Sequence, residues 1–302
     1  MKYVITGSIG NISKPITEAL VKAGHDVTVV TSSAGRTKEI EALGAKAAVG
    51  SIEDQAFLNK TFAGADVVYT MVPPKWDAKD WKGYIGKIGE NYAAAIKQNN
   101  IKYVVNLSSQ GAHMPEGCGP VSGLYRVEQA LDKLTDVNIK HLRPAYFYNN
   151  LFSNLGLIKN LGIIGANYST TGKTFVIVDP SDIAAVAIEA LLNKNFSGHS
   201  VVYIASDEVS TNEIAATIGK AIGKPELPWV EFSDEQSLQG GIQAGLTEEV
   251  SSNYAEMGRA LRTGAMAEDY WKHKPALGKV KLADFAKKFA AVYNSSESVA
   301  AH

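Results

Sequence analysis

The sequence predicts an α/β protein in which a doubly wound parallel sheet is followed by a smaller, mainly helical C-terminal subdomain. Three observations support this prediction. In the first half, short β-branched segments alternate with amphipathic helical segments, a rhythm typical of right-handed βαβ units. A turn with two glycines, Gly7 and Gly10, separates the first strand from the first helix. From residue 233 to residue 289, helical patterns predominate.

The predicted elements of the first half are bounded by glycines and turn residues. We predict strands at residues 2–6, 27–31, 46–49, 67–72, 102–107 and 139–142. We predict helices at residues 14–23, 37–43, 53–62, 80–97 and 125–134. After Pro144 the alternation loosens, and we predict a helix at 149–161, a strand at 175–178, a helix at 181–192 and a strand at 201–205.

Composition and charge exclude several classes of function. The 302 residues carry 30 basic and 31 acidic side chains, so no basic excess is present to attract nucleic acid or an anionic membrane. The single cysteine, Cys118, excludes an intramolecular disulfide, and no histidine–carboxylate cluster has metal-site spacing. Gly7 interrupts the N-terminal segment before a signal-peptide apolar region can form, and no apolar run has the length of a membrane span. We therefore expect a cytoplasmic protein; a homodimer remains open.

The turn after the first strand has the pattern of a dinucleotide-binding loop. It contains Gly7, Ser8, Ile9, Gly10, Asn11 and Ile12. Gly7 suits the tight turn, and Gly10 lets backbone amides approach a pyrophosphate at the N-terminus of the helix. Ser13 replaces the usual third glycine and is still small. An ordinary strand-to-helix turn is the alternative, but the strand–loop–helix–strand order favours a Rossmann-type fold.

The end of the second strand favours the phosphorylated cofactor. A site that prefers NAD has an acidic residue about 20 residues after the loop to bind the ribose hydroxyls. Here the strand ends in Thr31, Ser32, Ser33 and Arg36, which offer hydroxyls and a guanidinium to a 2′-phosphate. We predict a preference for NADP(H), with NAD(H) as the alternative if Arg36 is only a solvated helix-start residue. We accordingly assign residues 1–150 to a dinucleotide-binding domain, to which residues 174–205 return, and residues 151–302 mainly to a substrate-binding subdomain.

Four segments together carry a family resemblance. They are TGSIGNIS at residues 6–13, VVNLSSQGA at 104–112, GLYRVEQAL at 123–131 and HLRPAYFYNNL at 141–151. In these segments the chain resembles the NmrA-like branch of the atypical short-chain dehydrogenase/reductase family, and the resemblance extends over nearly the whole sequence. It implies an NAD(P)-binding protein. The family includes quinone and dye reductases, isoflavone-type reductases and redox sensors that bind the dinucleotide without turnover.

The sequence departs from the family's usual catalytic pair of a tyrosine and a lysine four residues later. Tyr125 is followed at that spacing by Gln129, and an alignment on Glu128 places Leu124 where a lysine or histidine often stands. A tyrosine without a nearby cation is a poor base at neutral pH, so classical alcohol dehydrogenation is not expected. Hydride transfer to a quinone or dye needs mainly a positioned nicotinamide and a stacked acceptor.

The resemblance and the strand ends together nominate the remaining site residues. Val72 and Pro73 follow the fourth strand and should border the nicotinamide ribose. Ser108 and Ser109 follow the fifth strand and match the family's serine position. Pro144 and Tyr146 follow the sixth strand and resemble a segment that contacts the nicotinamide amide. As candidates for the acceptor site we add Tyr146, Tyr148 and Trp229 for binding, with Ser109, His113 and Tyr125 for catalysis.

Two functions follow from these residues. The first is an NADP(H)-binding oxidoreductase that transfers a hydride to a quinone-like, dye-like or conjugated carbonyl acceptor. The second is a non-catalytic NAD(P)-binding sensor that reports redox state to a protein partner. The missing lysine favours the sensor. The aromatic residues after Pro144 and the size of the C-terminal part favour the enzyme.

Overall fold

The structure, a computed structural model, describes residues 1–295. Its strands are β1 (Lys2–Ile5), β2 (Asp26–Thr31), β3 (Lys46–Val49), β4 (Val67–Thr70), β5 (Tyr103–Leu107), β6 (Asn138–Pro144), β7 (Tyr146–Phe147), β8 (Ile164–Ala166), β9 (Phe175–Val178), β10 (His199–Ile204), β11 (Asp207–Val209) and β12 (Trp229–Glu231). Its helices are α1 (Ser13–Lys22), α2 (Thr37–Ala42), α3 (Gln55–Phe62), α4 (Trp81–Gln98), α5 (Pro120–Leu131), α6 (Leu155–Leu161), α7 (Pro180–Asn193), α8 (Thr211–Ala221), α9 (Asp234–Gln243), α10 (Glu248–Arg262), α11 (Glu268–Lys272) and α12 (Leu282–Asn294).

A seven-stranded sheet forms the centre of the fold. Its order is β10-β6-β5-β4-β1-β2-β3, and every neighbouring pair is parallel. The strand order reverses direction between β1 and β4, which is the switch point where such sheets bind ligands at their carboxyl edge. The predicted α/β class with a doubly wound parallel sheet is confirmed.

Helices cover both faces of this sheet because its strands alternate side chains between two apolar layers. Tyr3 and Ile5 of β1 are fully buried in the core that contains α1 and α7. Val4 of the same strand and Val68 of β4 are buried in the core that contains α3, α4 and α5. Burial on both faces explains why these strands read as nearly continuous apolar runs.

The residues after β6 build a second layer beside the carboxyl edge. Strands β11, β9 and β7 form one small sheet, and β12 pairs with β8 in another. Residues 174–205 contribute to both parts of the fold. Strand β10 belongs to the large sheet and α7 packs against it, whereas β9 belongs to the small sheet with β11 and β7. Helices α8, α10 and α12 contribute to a third core that includes Tyr148, Phe285 and Phe289.

Two element boundaries differ from the sequence prediction for local reasons. Helix α5 begins at Pro120 rather than at residue 125, because proline fits the first helical position, where the missing N–H is not needed. The segment predicted as one helix at 149–161 begins as a 3-10 helix, Tyr148–Asn154, and becomes α-helical only at Leu155. Both differences lie next to the carboxyl edge of the sheet.

The C-terminal helices are fastened to the large sheet by buried polar contacts. The Asp182 carboxylate accepts hydrogen bonds from Ser206 Oγ at 2.6 Å and from the amides of Lys279 and Val280 at 3.1 Å each. Helix α10 approaches the start of α5 so closely that a Cβ on Gly119 would overlap the Asn253 carbonyl. Asp182 of α7 thus holds the segment before α12, and α10 packs on the start of α5 beside the ligand-binding edge.

Candidate active site

The glycine loop has the backbone geometry that a dinucleotide requires. Gly7 has φ +87°, and a Cβ there would lie 2.7 Å from the thioether of Met71. Gly10 is exposed, and the nearest atom to a Cβ at that position would be the Gly7 carbonyl oxygen at 3.7 Å. The loop therefore packs tightly at Gly7 and is open at Gly10, where a pyrophosphate would approach the backbone.

The start of α1 offers the Ser13 amide to an anion, whereas the Lys14 amide already donates to the Gly10 carbonyl at 3.0 Å and Pro15 has no N–H. The N-cap residue of α1 is Ile12, and no side chain caps the helix. Ser13, in the place of the third glycine, is buried and donates its hydroxyl to the Thr6 carbonyl at 3.1 Å, so it fits between helix and strand without an unpaired group. The side chains of Ile9 and Ile12 pack into the core and anchor the loop. Free N–H groups at an uncapped helix start are a standard phosphate site.

The residues after β2 lie where the adenosine ribose would sit. Ser8 Oγ donates to Thr31 Oγ1 at 3.1 Å, which ties the glycine loop to the end of β2. Thr31 is buried, while Ser32, Ser33 and Arg36 are exposed. The Arg36 guanidinium is engaged with Glu39 at 3.2 Å, a pair that is half-exposed. Such surface pairs contribute about 0–1 kcal/mol, so a phosphate can compete for Arg36.

The ends of β4 and β6 lie at the same carboxyl edge of the sheet as the glycine loop. Thr6 Oγ1 accepts from the Met71 amide at 2.8 Å, and Tyr92 donates its hydroxyl to the Met71 carbonyl at 2.7 Å. This fixes the start of the segment that continues into Val72 and Pro73, both half-buried. The backbone N–H of Gln110 donates a hydrogen bond to the Pro144 carbonyl at 2.8 Å, so the loops after β5 and β6 are joined.

The two serines after β5 are in different environments. Ser108 is buried, and its hydroxyl donates to Glu128 Oε1 at 2.5 Å. Ser109 is half-buried, and its hydroxyl donates to the neighbouring Gln110 carbonyl at 3.0 Å. Because Ser108 is committed to a buried carboxylate, Ser109 is the serine that can exchange its local bond for one to an acceptor.

Behind Ser108 lies a buried ionic network. Arg143 binds Glu128 with two hydrogen bonds, Nη2–Oε2 at 2.6 Å and Nε–Oε1 at 3.0 Å. It also donates to Tyr203 Oη at 3.0 Å and to Asp269 Oδ2 at 3.2 Å. Burial opposes the charge of Arg143, but the hydrogen bonds and charge of Glu128 outweigh it and raise the pKa of the guanidinium. The network joins α5, β6, β10 and α11 at one end of the sheet.

His113 lies beside this network. Burial lowers the pKa of His113, although the nearby Asp269 carboxylate opposes that effect. Its Nδ1 has no hydrogen-bond partner among residues 1–295. The imidazole is thus mainly neutral at pH 7, which weakens its predicted role as a general acid.

The structure does not bring Tyr125 to the other candidate residues. Tyr125 lines an open groove of about 390 Å³ between α4 and α5, together with Arg126, Gln129 and Lys133. Leu124, one residue earlier, packs instead against two of the buried apolar clusters. The position where the family often has lysine or histidine therefore faces the interior as an apolar side chain.

The three predicted acceptor-site aromatics are divided between half-buried positions and the core. The ring of Tyr146 lies 5.1 Å from that of Phe175 and 6.1 Å from that of Tyr168. Trp229 joins this row, with its Nε1 donating to the Tyr168 carbonyl at 2.9 Å. Tyr148, in contrast, is fully buried and stacked on Phe285 at 5.0 Å, so it belongs to the C-terminal core.

Two features of this region were not predicted from the sequence, namely a second aromatic group and the buried side-chain amide of Gln110. Trp76 and Trp81 flank the segment after β4, and Tyr254 of α10 contacts both. The two tryptophans shortly after Pro73 and Pro74 were the feature of the sequence that could have indicated such a group. Their partner Tyr254 lies more than about 170 residues later in the chain, so the group is recognised only in the folded protein. Gln110 is buried, and its Oε1 has no partner among residues 1–295.

Other kinds of site find no support in the part of the chain that the structure describes. Residues 1–295 contain no group of three or more His, Cys, Asp or Glu side chains arranged to hold a metal ion. Over the same range, no helix is both long enough and apolar enough to cross a membrane. A cavity of about 470 Å³ between α7, β10 and residues 275–279 is formed by other residues than those predicted for the site.

The comparisons with known proteins agree with this geometry. Residues 2–232 match the NmrA-like family. The chain belongs to that family. A (4-alkanoyl-5-oxo-2,5-dihydrofuran-3-yl)methyl phosphate reductase of Streptomyces griseus is 23% identical over 264 residues, covering 87% of this chain and 88% of the relative.

Two further similar proteins are also reductases by name. An NAD(P)H azoreductase of Xenophilus azovorans is 22% identical over 255 residues, 84% of this chain and 85% of the relative. The crystal structure of an NADPH-dependent quinone oxidoreductase from Escherichia coli, complexed with NADPH, superposes with a TM-score of 0.80 at 17% identity. The superposition covers 95% of this chain and 99% of that one, so this NmrA-like chain shares the whole fold.

Proposed function

We propose that this NmrA-like protein is an NADP(H)-dependent oxidoreductase that transfers a hydride to a quinone-like, dye-like or conjugated carbonyl acceptor. The observation that carries the proposal is the glycine loop: tight at Gly7, open at Gly10 and followed by an uncapped helix start. The three similar proteins are named as reductases, and two of those names include NADPH or NAD(P)H. Their low identity leaves the acceptor of this chain to be found by experiment.

The residues present fit the cofactor along its length. The amides of the glycine loop and the Ser13 amide at the start of α1 would bind the pyrophosphate. Ser32, Ser33 and Arg36 would hold a 2′-phosphate, since no carboxylate occupies residues 31–36 to repel it. Val72, Pro73 and Pro144 would border the nicotinamide, which supplies the hydride when the cofactor is bound. Residues 1–150 with α7 and β10 would thus serve the dinucleotide, and the later residues the acceptor.

The chain's own contribution to the reaction is positioning. Ser109, which is half-buried and bonded only to the neighbouring Gln110 carbonyl, would donate a hydrogen bond to an acceptor oxygen as negative charge develops on it. His113 is held mainly neutral and Tyr125 lies in an outer groove, so neither is assigned the proton transfer. Water would protonate the reduced acceptor, which is sufficient for quinones and dyes because hydride arrival is the demanding step.

The alternative function, a redox sensor that binds without turnover, has one specific observation in its favour. The Ser108 hydroxyl is bonded to Glu128, and the Tyr–Lys pair is absent. The sensor would work by presenting a surface that changes with the redox state of the cofactor. A small-molecule acceptor is expected for the enzyme, whereas the sensor would act on a protein partner. The cytoplasmic location and a homodimer stay predictions from the sequence.

NADPH oxidation against an acceptor panel tests the proposal. The panel contains 1,4-naphthoquinone, an azo dye, a triphenylmethane dye and a cyclic enone, each followed by loss of NADPH absorbance. We expect turnover with at least one acceptor and at least about tenfold tighter binding of NADPH than of NADH, since a charge-assisted contact contributes about 1.5–3 kcal/mol. Arg36→Ala should reduce the difference in affinity between NADPH and NADH. Tight NADP⁺ binding without oxidation by any acceptor would support the sensor instead.

A further inference from the structure

An aromatic group that neither the family resemblance nor the catalytic assignment uses lies beside the proposed acceptor site. The Trp76 ring lies 5.7 Å from the Trp81 ring and 6.1 Å from the Tyr254 ring, measured between centroids. Tyr254 meets Trp81 edge to face at 5.4 Å and Trp76 in a stacked arrangement, 27° from parallel. We call Trp76, Trp81 and Tyr254 the aromatic platform.

The fold brings this platform to the carboxyl edge of the sheet. Trp76 lies five residues after Met71, whose thioether packs at the Gly7 turn, so the Cα of Trp76 is at most about 18 Å from that of Met71. Tyr254 lies on α10, which packs on α4 and α5. Burial raises the pKa of Tyr254, and the phenol of Tyr146 in β7 raises it further. The platform thus joins the segment that follows β4 to α10.

The three rings differ in exposure in a way that suits a stacking surface. Trp81 is buried, with 3% of its surface exposed, whereas Trp76 is 42% exposed. An indole that is held on one side by Tyr254 and open on the other offers a large apolar face at low entropic cost. The loop that carries Trp76 is itself fastened, because Lys75 binds Glu53 at 2.9 Å and lies over the Tyr84 ring.

The platform also has a polar side. Glu249 accepts hydrogen bonds from the Trp81 amide at 2.9 Å and from Asn253 Nδ2 at 3.0 Å, which brings Trp81 and Asn253 together. Trp81 Nε1 and Asn253 Oδ1 are both buried without a partner within residues 1–295. Because both atoms are enclosed, they do not face the exposed side of Trp76, and the contact that the platform offers a ligand is the indole face itself.

We propose that the aromatic platform is the acceptor-stacking surface, with Trp76 as the residue that selects flat acceptors of two or more fused rings over single-ring ones. A hydride acceptor is electron-poor, and indole is the most electron-rich aromatic side chain, so the two faces attract when stacked. On this proposal a single ring against the nicotinamide would leave Trp76 uncovered, whereas a fused ring system would extend onto it. The inference rests on the proposed reductase function.

The test measures binding and turnover separately. Binding of 1,4-naphthoquinone and of 1,4-benzoquinone is titrated by calorimetry in the presence of saturating NADP⁺, which has no hydride to transfer. The same quinones are then assayed with NADPH. The variants are Trp76→Ala, Trp76→Phe and Trp271→Ala. Trp271 is the matched control, because it is 39% exposed but lies on α11, away from the platform.

We expect Trp76→Ala to weaken naphthoquinone binding about three- to tenfold and to raise its KM similarly, with benzoquinone changed less than about twofold. Trp76→Phe should recover most of the loss, and Trp271→Ala should change neither ligand. Equal losses for both quinones, or the same loss in Trp271→Ala, would overturn the platform. If NADPH is never oxidised while Trp76→Ala still weakens naphthoquinone binding selectively, the reductase function fails and the stacking surface stands.

Discussion

Two glycines in one loop should respond to substitution in opposite ways, because one is constrained by the fold and the other by the ligand. Gly7 combines φ +87° with a hypothetical Cβ contact of 2.7 Å to Met71 and 3.0 Å to Ser13 Oγ. The left-handed backbone costs a residue with a Cβ about 1–2 kcal/mol. The overlap with Met71 adds about 1 kcal/mol, because that side chain can partly move away. Gly7→Ala should therefore lower the free energy of unfolding by about 2–3 kcal/mol.

For Gly10 we expect the reverse: substitution should weaken dinucleotide binding and leave the stability of the fold nearly unchanged. Its φ is not in the left-handed region, and the nearest atom to an added Cβ is 3.7 Å away, which is an ordinary contact. Gly10→Val should thus change the free energy of unfolding by less than about 0.5 kcal/mol. The same side chain would hold the backbone away from a pyrophosphate. Loss of one charge-assisted hydrogen bond there, about 1.5–3 kcal/mol, corresponds to at least a tenfold weaker dinucleotide.

Urea denaturation and calorimetric titration with NADP⁺ measure the two effects on the same samples. The reasoning requires that the stability loss appears in Gly7→Ala and the affinity loss in Gly10→Val. A Gly10→Val variant that binds NADP⁺ as well as the parent would refute the assignment of the loop. A Gly7→Ala variant as stable as the parent would refute the packing argument, whatever its affinity.

Three further predictions concern other parts of the molecule. Glu128→Gln should lower the free energy of unfolding by about 3 kcal/mol in urea, because it leaves the buried Arg143 short of a counter-ion; a loss below about 1 kcal/mol would contradict this. The bonds from Asn167, Arg259 and Arg262 lower the pKa of Asp234 from 3.8 to about 2, so their stabilisation is complete above pH 4 and is lost as the pH falls toward 2. Acid titration of Asp234→Asn should lack that step, and an unchanged profile would disprove the assignment. Tyr125→Phe should keep any reductase turnover within about tenfold of the parent, and a thousandfold loss with intact NADP⁺ binding would show that Tyr125 is the acid.

Features formed by residues that are close together in the chain could be predicted from the sequence, whereas features formed by distant residues could not. The order of strands and helices could be predicted because each element carries its own apolar period and its own stop signal, as in α1, which ends just before Gly24. The glycine loop could be located for the same reason, since Gly7, Gly10 and the following helix are neighbours in the chain. The absence of an acidic residue after β2 is likewise a local fact, and it favours NADP(H).

The acceptor side could not be predicted in the same way, because it is assembled from distant segments. Tyr148 and Tyr146 are two residues apart and look equivalent in sequence, but one is stacked on Phe285 of α12 and the other lies near Tyr254. Tyr125 is half-buried in the groove between α4 and α5, and this position depends on how α4 packs against α5.

By itself, then, the sequence determined the sheet, the dinucleotide loop and the family, because these depend on residues within one βαβ unit. Only the tertiary structure decided which serine is held by a buried carboxylate, since the bond from Ser108 to Glu128 spans 20 residues and that carboxylate is bound by Arg143 of another strand. Only the tertiary structure joined Trp76 and Trp81 to Tyr254 of α10. Side chains that meet through packing of α10 on α4 carry no shared period in the sequence, and their partnership exists only once the chain has folded.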